Sequence, residues 1–358
     1  MDPALFINAF IYLVAATIAA PLGRRFGVGA VLGYLLVGVL IGPAALKLTG
    51  QHQEEVLHFA EFGVVLMLFV IGLELDLSRL WRMRTSIFGL GGLQVFLSAA
   101  VLALVAGLVV SDWREAVALG LILALSSTAI VMQTLKERGI LDTSAGKQSF
   151  AVLLFQDIAV IPILAILPLL SHRATTAADG HAWGEGLAIL VAIGVIIVIG
   201  RFLLTPWLRW VARLKVPEAL NATTLSLVVG IALLMNSVGL SPALGTFVAG
   251  VVLASSEYRH ELEGNIEPFK SLLLAVFFLA VGASIDFPLI ASQPLTIAAW
   301  VGTLICVKFG VLFVLGKLFK LSFDQRFLFS ISLAQGGEFA FVLGGFAATN
   351  GVLGPETA

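Results

Sequence analysis

The chain has 358 residues, 59% of them hydrophobic and only 12% charged, with a formal net charge of −1 and a mean hydropathy of +1.04. Soluble domains carry about 25% charged residues, so a large water-covered globule is excluded, and no nucleic-acid partner is expected. The single cysteine, Cys306, excludes a disulfide framework.

Apolar runs long enough to cross a hydrocarbon core of about 30 Å recur along the whole chain. They predict twelve spans, at 5–22, 28–46, 56–75, 86–110, 114–135, 147–170, 186–206, 218–236, 240–255, 269–286, 294–316 and 326–348. The first run has no basic residue before it and is followed by Pro21 and Arg24–Arg25, so it reads as a span and not as a cleaved signal. Connections after odd-numbered spans, counted with the span edges that carry Lys147, Lys270 and Arg326, hold sixteen of the 21 basic residues, and those after even-numbered spans, counted likewise, hold Lys47, Arg114 and Arg173. By the positive-inside rule the odd connections are cytoplasmic and the N-terminus is outside.

Spans 2 and 3 find echoes later in the chain. "VLGYLLVGVL" (31–40) resembles "ALGTFVAGVV" (243–252), pairing Gly33 with Gly245 and Gly38 with Gly250. "FVIGLELD" (69–76) resembles "FLAVGASID" (278–286), pairing Gly72 with Gly282 and Asp76 with Asp286. Each step covers seven spans, an odd number, so the second copy runs through the membrane inverted. Inverted repeats are characteristic of secondary transporters, with a binding site near the midplane. On this alignment span 6 has no counterpart after "GVLGPETA", so the chain is expected to stop one span short of a complete repeat.

Span 5 reads "LALSSTAIVMQ", where Ser126, Ser127 and Thr128 interrupt the helix formers. Span 6 carries Gln156 and Asp157 inside "LLFQDIAVIPIL", and Pro162 removes a helical hydrogen bond nearby. Between spans 9 and 10, the loop 256–268 carries Glu257, His260, Glu261, Glu263, Asn265 and Glu267, and by charge alone it reads as a solvated connection. Span 11 contains Lys308. Span 12 reads "LAQGGEFAFVL", where Gly336 and Gly337 weaken the helix before Glu338.

At about 1.5 Å per helical residue, Asp157 lies about 15 Å from the cytoplasmic end of its span and Glu338 about 18 Å. Lys308 and Ser127 lie about 20 Å from the outer side. Charges at that depth are expensive and mark transport paths by default. Matched helix breaks offer carbonyls and half-helix dipoles to an ion. A lone carboxylate holding either a proton or a bare monovalent cation couples the two flows, so Asp157 is the expected exchange site, with Gln156 beside it. An ion pair between Asp157 and Lys308 that merely fixes helix packing is the structural alternative.

"HFAEFGVVLMLFVIGLELD" (58–76), "LALSSTAIVMQ" (123–133), "FAVLLFQDIAVIPILAILPLL" (150–170), "LASSEYRHELEGNIEPFKSLLL" (253–274) and "AQGGEFAFVL" (334–343) together resemble the Kef-type glutathione-gated potassium efflux antiporters of the cation:proton antiporter-2 family. The resemblance implies an all-α polytopic membrane protein with a sodium/proton-antiporter-like fold, inverted-topology repeats and two crossed discontinuous helices. It implies a homodimer in a bacterial inner membrane, with dimerisation helices at 1–75 and 216–290 and core transport helices at 76–215 and 291–358. Sodium/proton relatives carry an Asp-Asp pair where Gln156–Asp157 stands, which implies electroneutral K⁺/H⁺ exchange here. The loop 256–268 matches the family's regulatory loop, with Asn265 where an acidic residue is common. A thirteenth span and a C-terminal nucleotide-binding domain, which would take nucleotide and glutathione, are expected beyond this chain. An ancillary flavoprotein-type subunit is a further expected partner, and no cofactor is expected in the chain itself.

Three rivals share some of these features. A sodium/proton antiporter differs only in ion selectivity. A ligand-gated cation channel would not need a titratable carboxylate. An intramembrane aspartyl protease would need two facing aspartates, and only Asp157 lies at depth.

Overall fold

The computed structural model describes residues 3–26, 29–49, 53–74, 84–171, 194, 205–213, 216–237 and 242–354. In chain order the helices are α1 (Pro3–Arg25), α2 (Gly29–Ile41), α3 (Gln53–Glu74), α4 (Thr85–Ala106), α5 (Trp113–Leu123), α6 (Thr128–Glu137), α7 (Ser144–Ile166), α8 (Thr205–Arg213), α9 (Pro217–Ser237), α10 (Pro242–Leu253), α11 (Arg259–Ala283), α12 (Phe287–Ser292), α13 (Pro294–Leu318), α14 (Phe323–Leu333) and α15 (Phe339–Thr349). Among the described residues, six helices are long and apolar enough to cross a membrane. These are Phe6–Arg25, Thr85–Ala106, Ser144–Leu170, Glu218–Ser237, Arg259–Ala283 and Pro294–Leu318. Expected spans 5 and 12 are each split into two half-helices, and spans 2 and 9 are short helices. Most of span 7, the connection with Arg79 and Arg82, and Asp76 fall outside the described residues.

Large apolar side chains remain uncovered, among them Phe10 at 67% and Leu295 at 84% exposure. Water would penalise such surface heavily, whereas hydrocarbon does not. The chain is a multi-pass membrane protein.

Two compact units are present: Met1–Leu77 with Ala178–Ile285, and Ser78–Ala177 with Asp286–Ala358. α8 belongs to the first unit, although 76–215 was expected to go with the core helices. The reason is Leu208, which is fully buried in the first unit's core with Leu66, Phe69, Val228 and Leu262.

Glycine contacts organise the first unit. A Cβ added at Gly38 would lie 3.0 Å from Cα of Gly282, and one added at Gly72 would lie 2.9 Å from Cα of Gly250. In the alignment above, Gly38 corresponds to Gly250 and Gly72 to Gly282. The α2–α11 and α3–α10 crossings therefore each join one glycine of one aligned pair to one glycine of the other. Small residues at such crossings let backbones approach closely, which is how helices pack inside a membrane.

The segment 256–268 is not a loop beyond Tyr258. α11 begins at Arg259 and runs through to Ala283. Leu262 and Ile266, four residues apart, are both fully buried in the first unit's core, and that stripe holds the segment helical. Glu261 sits in the first turn, where the helix dipole favours an acid. Along this helix His260 pairs with Glu263 at 3.6 Å, and Glu267 with Lys270. Glu257, just before the helix, pairs with Arg209 at 2.9 Å.

Candidate functional site

The second unit brings both helix breaks together. α5 ends at Leu123 with Ala124 as its C-cap, and α6 starts at Thr128 with the extended Ser127 as its N-cap, its side chain accepting from the amide of Ile130. The other break separates α14, ending at Leu333, from α15, starting at Phe339. A Cβ added at Gly337 would lie 2.7 Å from the backbone carbonyl of Ser126, so only glycine permits this approach.

Breaking a helix leaves carbonyls on one side and amides on the other without intrahelical partners. Inside a membrane each must find protein. Here they do. The Ser126 amide donates to Gln156 Oε1 at 2.8 Å, and the Ser127 amide donates to Gln335 Oε1 at 3.0 Å. The Ala124 carbonyl accepts from Gln94 Nε2 at 3.2 Å. The Leu125 carbonyl accepts from Lys308 Nζ at 2.7 Å, and the Leu333 carbonyl from the Ser126 hydroxyl at 2.7 Å. Glutamine suits this work because one side chain both donates and accepts. Gln156 and Gln94 are joined to each other by a 2.6 Å bond from Gln156 Nε2 to Gln94 Oε1.

Lys308 is fully buried. Its ammonium donates to the Leu125 carbonyl, to Ser126 Oγ at 3.0 Å and to the Gln335 carbonyl at 2.8 Å. All three of its protons are thereby committed. The two carbonyls lie just past the C-terminal ends of α5 and α14, where half-helix dipoles attract a cation. The cation held by these break carbonyls is the protein's own lysine. The structural alternative of a packing ion pair between Lys308 and Asp157 is replaced by this arrangement.

Asp157 is less buried than Gln156 or Lys308. It is only part-buried, and its Oδ1 accepts a 3.1 Å hydrogen bond from Thr128 Oγ1, on the first residue of α6. That places the carboxylate at the N-terminal end of a half-helix, where the dipole presents positive partial charge. Gln156, one residue earlier and 1% exposed, points into the break instead.

The sequence-derived site residues therefore divide by role. Asp157 and Thr128 form a partly accessible pair. Gln156, Ser126 and Ser127, expected as ion ligands, are hydrogen-bonded to protein groups at the break. Gly337 is buried at the close approach and Gly336 is exposed. Glu338 stands at the start of α15 with Oε2 buried and unbonded. Glu257, His260, Glu261, Glu263, Asn265 and Glu267, expected as regulatory residues, belong to the first unit.

Sequence reasoning missed Gln94 and Gln335. Gln94 is fully buried and also donates to Ser98 Oγ at 3.1 Å. A lone amide in the apolar run "FGLGGLQVFLSAAVLAL" was the available signal, since polar side chains at that depth face protein.

Known proteins resemble this chain in sequence and in fold. Residues 11–358 match the family model described as the transmembrane sodium/hydrogen exchanger. The chain is 46% identical over all 358 residues to the glutathione-regulated potassium-efflux system protein KefC of Escherichia coli strain K12, and equally to that of Shigella sonnei. It spans 58% of the length of those relatives. In three dimensions it resembles the sodium proton antiporter MjNhaP1 of Methanocaldococcus jannaschii at pH 8, with a TM-score of 0.66 and 16% identity, covering 95% of this chain and 84% of that one. An electron-microscopy map of the same antiporter gives a TM-score of 0.64 at 17% identity, covering 92% of this chain and 81% of that one. The fold is that of the antiporter.

Proposed function

We infer that this chain, which belongs to the transmembrane sodium/hydrogen exchanger family, is a secondary transporter exchanging K⁺ for H⁺ by alternating access. The observation that carries the reading is the contrast at the helix breaks. Gln156 and Lys308 face into the break and are bonded to its backbone groups, whereas the Asp157 carboxylate, bonded to Thr128 Oγ1, is part-buried at the N-terminal end of a half-helix. One carboxylate binds a proton or a monovalent cation in turn, and that alternation couples the two flows. With Gln156 neutral and Lys308 already engaged, a single charge is exchanged for a single charge, which supports electroneutral exchange.

K⁺ as the cation rests on the relatives, which are named for potassium efflux. The sodium-transporting fold neighbour makes Na⁺ the second reading. Proteoliposomes holding the complete protein, given K⁺, Rb⁺ or Na⁺ gradients, separate the two by proton flux. K⁺ and Rb⁺ should drive flux and Na⁺ should not, and Asp157→Asn should abolish it while leaving the protein folded. Flux surviving in Asp157→Asn overturns the exchange site. Cation flux without proton movement favours a channel, and a rate that follows membrane potential overturns electroneutrality.

Further parts of the proposal follow from the relatives and from the sequence. The glycine crossings of the first unit support inverted repeats, and charge asymmetry supports an outside N-terminus in a bacterial inner membrane. A homodimer is proposed, with dimerisation helices in the first unit and the transport core in the second. The name of the relatives supports glutathione regulation; a nucleotide-binding domain acting on the segment 256–268, and an ancillary flavoprotein-type subunit, are proposed from the sequence resemblance alone.

A further inference from the structure

α8 carries the sequence TPWLRWVAR and presents three distinct faces. At about 100° per residue, Leu208 and Val211 share one side, and both are buried in the first unit. Trp207 and Trp210 share a second side, 50% and 53% exposed, with ring centroids 5.2 Å apart. Arg209 and Arg213 share a third side, roughly opposite the buried one, and both are exposed. The aromatic face lies between the buried face and the basic face.

That order is what a helix lying in a membrane surface requires. Tryptophan is enriched where hydrocarbon meets headgroups. Arginine grips a phosphate through paired N–H donors, and basic residues at the bilayer edge attract anionic lipid. The expected seventh span, 186–206, runs directly into α8 and so places it at a membrane boundary.

We infer that α8 is an interfacial helix that binds anionic phospholipid, its two tryptophan rings set among the headgroups and upper acyl chains and Arg209 and Arg213 on the lipid phosphate. The inference rests on the chain being a membrane protein and not on which ion it carries. A soluble partner is the poorer fit, since paired tryptophans beside arginines at the end of a span match the chemistry of a bilayer edge.

Arg209 has a second partner. Its Nη2 lies 2.9 Å from Glu257 Oε1, with both side chains more than half exposed. Hydrogen bonding to Glu257, and secondarily to Tyr258, raises the Arg209 guanidinium above its ordinary value, so it stays charged at every working pH. An exposed pair of this kind is worth little, and a lipid phosphate can replace Glu257 at small cost. Anionic lipid and Glu257 therefore compete for Arg209, and lipid binding releases the segment leading into α11. The competition depends on salt.

The test uses the complete protein in nanodiscs of phosphatidylcholine alone or mixed with phosphatidylglycerol, with bound lipid counted by native mass spectrometry. The wild type should retain phosphatidylglycerol over phosphatidylcholine. Arg209→Gln should cut that preference about fivefold and the double variant with Arg213→Gln about thirtyfold, while Glu257→Gln should raise it. Brominated phosphatidylglycerol should quench a component of tryptophan fluorescence that disappears in the Trp207→Phe/Trp210→Phe variant. Equal retention in wild type and arginine variants overturns the inference. So does a Trp207/Trp210 component quenched by acrylamide from water and not by brominated lipid, which would assign the face to a soluble partner. Neither readout involves transport, so its failure is separate from failure of the exchange reading.

Discussion

Replacing Gln156 with leucine tests the claim that this residue supports the break. Leucine preserves an apolar volume but removes the acceptor for the Ser126 amide, 2.8 Å away, and the donor to Gln94 Oε1, 2.6 Å away. Two buried polar groups are left without partners. Each costs about 1–3 kcal/mol when orphaned, so the upper estimate is about 6 kcal/mol. Hydrogen bonds within membranes measure lower, averaging about 0.6 kcal/mol, because the unfolded chain in lipid also finds partners. A loss of about 2 kcal/mol is therefore expected in an SDS-titration unfolding assay. The double-mutant cycle with Gln94→Leu is more discriminating. Once both residues are apolar, the orphan on Gln94 no longer exists, and the double variant should lose about 1 kcal/mol less than the sum of the singles. Additivity to within about 0.5 kcal/mol would mean the two amides do not act on one another, and the account of the break would be wrong.

Two other expectations concern stability. Lys308→Met strands the carbonyls of Leu125 and Gln335 while relieving the cost of a buried charge, and the balance should be a loss of about 1–3 kcal/mol in the same assay; unchanged stability would remove the lysine from its place between the half-helices. Gly38→Ala and Gly250→Ala should each destabilise by about 1–3 kcal/mol, because each Cβ meets backbone across a crossing. Gly264→Ala, with open space around its Cβ inside α11, should instead stabilise by about 0.5–1 kcal/mol. Similar effects at all three glycines would contradict the packing.

Much of the site could be read from the residues. A carboxylate at mid-span and two helix breaks at matched positions stand out because membranes penalise both charge and free backbone groups. The glycine pairs were visible for a related reason, since only glycine allows backbones to cross so closely. Reading 256–268 as a loop failed because the charged residues outnumber the two apolar ones, yet Leu262 and Ile266 fall one helical turn apart and are buried. Gln94 escaped notice because a single amide in an apolar run carries no periodic signal of its own.

The order of apolar runs, the charge asymmetry between connections and the position of Asp157 were determined by sequence alone, since hydropathy and spacing are local properties of the chain. Only the tertiary structure decided that Gln156 faces into the break while Asp157 stays partly accessible, and that Lys308 holds two half-helix ends together. Those assignments depend on hydrogen bonds between residues 30, 183 and 208 positions apart. Which buried group reaches which partner is set by how helices pack, and no one-dimensional pattern records that.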